Sequence, residues 1–151
     1  RRHPPAPESA MSPSQPMLAP VIALAAWTAV MWGWMYATRI PAILRLRMRL
    51  DGNLPRGEQM ATLPPRVRWK ADNYNHLLEQ PILFYAIALC LAVLGDSSTA
   101  SVALAWSYVG LRVVHSLWQA LVNVIPVRFA LFALSSLVLF ALLARAAMQV
   151  F

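Results

Sequence analysis

Four stretches of this chain, near 17–38, 77–95, 101–123 and 127–150, are about twenty residues long and nearly free of charge. A helix rises about 1.5 Å per residue, so ~20 apolar residues match a bilayer core of about 30 Å. Backbone in lipid must satisfy its own hydrogen bonds, which leaves helices as the structure for such segments. Composition agrees: 59% of the residues are hydrophobic and 13% charged, against about 25% charged in soluble domains. The expected fold is an all-α membrane protein, a four-transmembrane-helix bundle over residues 17–151. The Pro- and Ser-rich residues 1–16 show no periodicity and are expected to be disordered.

Charge sets the topology. Eight basic residues lie between Arg39 and Lys70 against Asp51 and Glu58, and that segment supplies +6 of the net +7. The connection near Gly95-Asp96-Ser97-Ser98 has no basic residue. By the positive-inside rule the basic loop is cytoplasmic, and both termini are external. A multi-pass protein of the bacterial inner membrane is expected, embedded in membrane lipids. The same rule accounts for the positive charge without a nucleic-acid partner.

Local signals set the boundaries. Pro20 and Pro41 are expected to flank the first helix, with Ala42–Leu50 extending it into the cytoplasm. Asp51-Gly52-Asn53 and Pro64-Pro65 are turn signals, with a helical restart near Arg66. Ser97-Ser98-Thr99 is expected to cap the third helix, and Pro126 to open the fourth. Cys90 is the only cysteine, which excludes an intrachain disulfide.

Two polar clusters interrupt the apolar pattern. Arg112 and His115 sit in a stretch from Ala100 to Val127 that holds no other charge. A charge at the centre of a bilayer helix costs roughly 3 kcal/mol on insertion scales, so such residues usually pair or serve a function. Tyr108, Arg112, His115, Gln119 and Asn123 share an arc of about 80° on a helix, and Asp72, Asn75, His76 and Glu79 one of roughly 100°. Both stripes are expected to face inward. One reading is a lock in which Arg112 pairs with Glu79. The other is a cavity toward the cytoplasmic half, with Arg128 beside it, suited to a small net-anionic ligand bearing an ammonium group. Arginine forks bind carboxylates. Metal binding is not expected, because His, Cys and carboxylates are not closely spaced. Haem ligation by His76 and His115 fits poorly beside Arg and Glu. A drug transporter would need an acidic residue deep in its pathway, and Glu79 is shallow.

Three stretches resemble the MAPEG family, the membrane-associated proteins in eicosanoid and glutathione metabolism. Asn75-His76-Leu77-Leu78-Glu79-Gln80-Pro81-Ile82-Leu83-Phe84 is similar to the family's Asn-x-x-Glu-x-x-Pro-x-Phe signature. Arg112-Val113-Val114-His115 is similar to its Arg-x-x-His, and Pro126-Val127-Arg128 to the Pro-x-Arg that opens helix four. The resemblance, closest to a bacterial-type member like microsomal glutathione transferase, implies a homotrimer that binds glutathione. It implies that Arg128 stabilises the thiolate, and that Asn75, His76, Glu79, Arg112, His115 and Gln119 hold the tripeptide. Lipophilic small molecules would enter from the bilayer as electrophiles or lipid hydroperoxides. The chain departs from the pattern at helix two, where His76 stands three before Glu79 in place of Asn, and Pro81 follows Glu79 by two residues rather than three. Phe129 and Phe132 replace the serine and tyrosine of prostaglandin synthase, which disfavours that isomerase chemistry. The competing expectation is a non-catalytic lipid-binding or accessory member of the family.

Overall fold

The computed structural model describes residues 15–55 and 57–151. Most of the segment expected to be disordered therefore lies outside the described residues. Among those described, six helices run in order: α1 (Gln15–Arg45), α2 (Glu58–Ala61), α3 (Pro65–Leu77), α4 (Pro81–Val93), α5 (Thr99–Leu121) and α6 (Ile125–Val150). Three stretches are long and apolar enough to cross a membrane: Gln15–Arg45, Pro65–Val93 and Ile125–Val150. The fourth expected span, 101–123, is helical as α5, whose 23 residues extend about 34 Å, but it is not among the three stretches apolar enough to cross. Its polar stripe makes it the least apolar of the long helices.

The ends of the helices follow from backbone accounting. Pro20 and Pro41 lie inside α1 rather than flanking it. Each proline removes one backbone donor, and the helix continues around the loss. It stops one turn beyond Pro41, short of Leu50. There Met48 N donates to Ile43 O at 3.2 Å and Arg47 N to Leu44 O at 3.1 Å, with Arg47 left-handed at φ 47°. This is a Schellman closure on a non-glycine residue. Gly95, at φ 74°, closes α4 in the same way, with Asp96 N bonded to Leu91 O at 2.9 Å and Gly95 N to Ala92 O at 3.1 Å. Asp51 Oδ1 accepts from Asn53 N at 2.9 Å, confirming the turn read at Asp51-Gly52-Asn53. Ser98 caps α5 through Ser101 N at 3.3 Å, and Pro126 stands in the first turn of α6.

The second apolar segment does not begin a helix at 77. Helix starts at Pro65, breaks at Leu78–Gln80 and resumes at Pro81. Pro81 has no N–H to give to Leu77 O, so the α-helical ladder ends there. The break turns the end of α3 toward α5.

The main core joins Met17, Val21 and Leu24 of α1 with Phe84, Ala88 and Leu91 of α4, Tyr108 of α5, and Leu139 and Leu142 of α6. Phe84 and Tyr108 stack with ring centroids 4.7 Å apart. A second cluster, Met31, Leu77 and Ala120, joins α1, α3 and α5. The outer faces carry large exposed apolar residues, among them Ile22, Val30, Ile82, Val93, Leu137 and Phe140. In water such a surface would be an aggregation hazard; it matches the apolar face that a lipid bilayer requires.

At the α4–α5 end a polar knot holds three elements together. Buried Asp96 accepts from the Ser101 hydroxyl, from Ser98 N at 2.8 Å and from Gln149 Nε2 at 2.8 Å. Arg145 of α6 donates to Ser101 Oγ at 2.7 Å and to Ser98 Oγ at 2.9 Å. Burial by itself would raise the Asp96 pKa, but the donors from Ser101, Ser98 and Gln149 outweigh it and hold it at about 2. Because the folded-state pKa lies below the ordinary 3.8, the stabilisation is complete above that value and is lost as pH falls toward 2. Asp96→Ala is expected to cost about 2–3 kcal/mol, read as a lower thermal midpoint in detergent at neutral pH. The difference from wild type should shrink between pH 4 and pH 2, and a pH-independent difference would contradict this account.

Candidate functional site

Arg112 lies at mid-helix in α5 and is fully buried. Its Nη2 donates to the main-chain carbonyl of His76 at 3.0 Å, in the last turn of α3. The C-terminal carbonyls of a helix lack intrahelical donors and carry its negative dipole end, so a guanidinium suits this position. Of the two readings of these stripes, the lock between Arg112 and Glu79 does not form. Glu79 turns instead to His76, whose Nδ1 is 2.9 Å from Glu79 Oε2. The break between α3 and α4 explains the change, since it brings the His76 carbonyl to Arg112 and keeps Glu79 at the surface.

One guanidinium nitrogen of Arg112 is thereby occupied. The other two, Nε and Nη1, are buried without a partner, as are His115 Nδ1 and Gln119 Oε1. Buried polar atoms are normally satisfied, so four such groups on one stripe of α5 single it out as the candidate site. Of the two stripes expected to face inward, the one on α5 does so at Tyr108, Arg112, His115 and Gln119, all buried, with Asn123 half-buried beyond the helix end. The other does not, because Asp72, Asn75 and Glu79 are exposed and His76 is half-buried. Tyr108 Oη donates to Gln80 Oε1 at 3.3 Å, and Gln80 Nε2 to Ser136 Oγ at 2.7 Å. That relay ties α5 to α6 through the linker between α3 and α4.

Of the sequence-derived residues, His76, His115 and Arg128 line one cavity and Asn75 another, while Arg112 and Glu79 line neither. A cleft of about 210 Å³ is lined by His76, His115, Ile125, Arg128, Phe129 and Phe132. The imidazoles of His76 and His115 lie 5.1 Å apart between centroids, and His76 is 5.3 Å from the Phe132 ring. Arg128 is oriented by Nη1 donating to Asn123 Oδ1 at 2.8 Å; Asn123 itself is left-handed at φ 56°. Asn75 does not join this cleft. It lines a separate cavity of about 360 Å³ with Asp72, Arg39, Arg68, Gly57 and Met60, among others. Gln119 lines neither cavity.

Arg39 and Arg68 thus enter the picture as cavity residues, each with a buried Nε that has no partner. Their sequence signal is spacing: Arg68, Asp72 and Asn75 fall at i, i+4 and i+7 on one face of α3. Asn73, one position from the stripe, is fully buried and donates to Ser116 Oγ at 2.6 Å, bridging α3 to α5. No group of histidines, cysteines and carboxylates suited to a metal ion occurs among the described residues.

Arginine and histidine at the C-terminal break of α3, with a second arginine at the start of α6, sit within helices whose outer faces are apolar. No curated protein and no solved structure matches the chain. The model of the MAPEG family matches residues 17–148. With nearly the whole chain inside that match, the protein belongs to the MAPEG family, a family of membrane-associated proteins.

Proposed function

We propose that this protein is an integral membrane, glutathione-dependent transferase or peroxidase acting on lipophilic electrophiles or lipid hydroperoxides. The observation that carries the reading is the pair of partnerless buried nitrogens on Arg112, beside the partnerless Nδ1 of His115. Glutathione offers two carboxylates, an ammonium and a thiol, and a guanidinium fork is the usual partner of a carboxylate. Donors of this kind fit the tripeptide. Arg112 and His115 would bind it, with Gln119 and Asn75 completing the contacts and Glu79 near the ammonium. Bound there, glutathione supplies a nucleophilic sulfur. The guanidinium of Arg128 lowers the cost of charge on that sulfur, and the Phe129 and Phe132 rings keep water away from it. A nearby cation favours thiolate over thiol.

In this reading α5 is the fourth transmembrane helix, and its polar stripe is sheltered by the bundle. A homotrimer in the inner membrane, with the basic loop cytoplasmic and both termini external, fits the family and the positive-inside rule. Neighbouring copies would enclose the cleft, which is otherwise too small for a tripeptide. One observation favours a non-catalytic lipid-binding or accessory member instead: Glu79 is taken by His76 and is not poised with Asn75 over a common cavity.

Replacement of Arg128 separates the two readings. Arg128→Ala is expected to slow glutathione conjugation of an aryl halide by about 10²–10³-fold, the usual cost of removing a group that stabilises developing negative charge. The variant should elute from size exclusion as the wild type does. Conjugation at the wild-type rate would overturn the assigned role, and a wild type with bound lipid and no conjugation would favour the accessory reading.

A further inference from the structure

We propose that His76, oriented by Glu79, is the proton acceptor for the thiol that binds beside Arg128; this rests on the glutathione-dependent reading above. Glu79 Oε2 lies 2.9 Å from His76 Nδ1. A carboxylate there requires Nδ1 to carry the hydrogen and leaves the lone pair on Nε2. Nε2 has no hydrogen-bond partner among the described residues, and its ring lines the cleft that Arg128 lines. The neighbouring His115 and Phe132 rings, at 5.1 Å and 5.3 Å, hold the imidazole in place.

The break between α3 and α4 builds this dyad. Glu79 lies in the linker at Leu78–Gln80, three residues after His76, where the chain leaves the helical path. The charged and titratable groups around the ring are Glu79 of the linker, Arg112 and His115 of α5, and Arg128 of α6. Glu79, 2.9 Å from Nδ1, would accommodate a transient positive charge on the ring. An amide at this position cannot take a proton; an imidazole can.

In the step, the S–H bond breaks and an N–H bond forms at Nε2. The electron pair stays on sulfur, facing the Arg128 guanidinium, and the imidazolium faces the Glu79 carboxylate. With an aryl halide, the C–S bond then forms as halide departs with its electron pair. His76 releases its proton to water. In this step Glu79 touches neither the sulfur nor its proton; it acts through His76 and is a positioning residue.

Three readouts test the proposal. In ligand-free protein, NMR of isotope-labelled histidine nitrogens should find His76 protonated on Nδ1, a preference lost in Glu79→Ala and kept in Glu79→Gln. On rapid mixing with glutathione, thiolate ultraviolet absorbance should rise about 10²-fold or more slowly in His76→Gln, the typical contribution of a general base. Equilibrium dialysis should find that the variant still binds glutathione, because the His76 carbonyl that Arg112 uses is main chain, so the thiolate rates are compared at saturating glutathione. His76→Asn serves equally should His76→Gln not fold. Thiolate formation at the wild-type rate in a variant that binds glutathione would overturn the proton-acceptor role alone. Failure of the wild type to bind glutathione would overturn the reading beneath it. A tautomer unaffected by Glu79→Ala would overturn the positioning role.

Discussion

A single hydrogen bond, from buried Arg112 to the carbonyl of His76, organises this protein's polar interior. A guanidinium in the middle of an apolar bundle is costly unless its donors are met. The break between α3 and α4 supplies one acceptor, because Pro81 ends the helical ladder and leaves the last carbonyls of α3 without intrahelical donors. A continuous helix from Pro65 to Val93 would give the His76 carbonyl a full intrahelical partner in Gln80 N and weaken its pull on Arg112. As it is, the His76 carbonyl takes only a long bond from Glu79 N, at 3.5 Å, and its second lone pair receives Arg112. The rest of the guanidinium, Nε and Nη1, stays buried and unpaired.

Around that contact the molecule is divided by polarity. Apolar side chains of α1, α4, α5 and α6 form the main core, while the polar groups gather where α3 ends and α6 begins. The Asp96 knot at the opposite end of α5 is fully hydrogen-bonded, so it reads as a structural clasp. The Arg112 stripe is not, and this difference in satisfaction separates the candidate site from the clasp. Both use arginine on a long helix. Arg145 spends its donors on serines of the turn and cap, whereas Arg112 keeps two in reserve.

The helices themselves were legible in the sequence, because uncharged runs of about twenty residues have few alternatives. The inward stripe on α5 was legible for the same reason: a 3.6-residue period puts Tyr108, Arg112, His115 and Gln119 on one face whatever their partners. The pairing of Arg112 was not. Spacing shows which face a side chain takes but not which acceptor it meets, and a main-chain carbonyl at a helix break leaves no side-chain signature. The same limit hid the division between cavities, since Asn75 and His76 are adjacent in sequence yet point about 100° apart on α3. The prolines of α1 misled in the opposite direction, suggesting ends where the helix only loses single donors.

The central claim is that Arg112 holds donors in reserve for a carboxylate of glutathione. Equilibrium dialysis of labelled glutathione against the detergent-purified protein, with Arg112→Gln alongside, tests it most directly. Saturable binding by the wild type, weakened at least about 30-fold in a variant that still folds, corresponds to the ~2 kcal/mol or more expected for losing a buried charged partner. Equal binding by the two proteins, or none by a well-folded wild type, would contradict it.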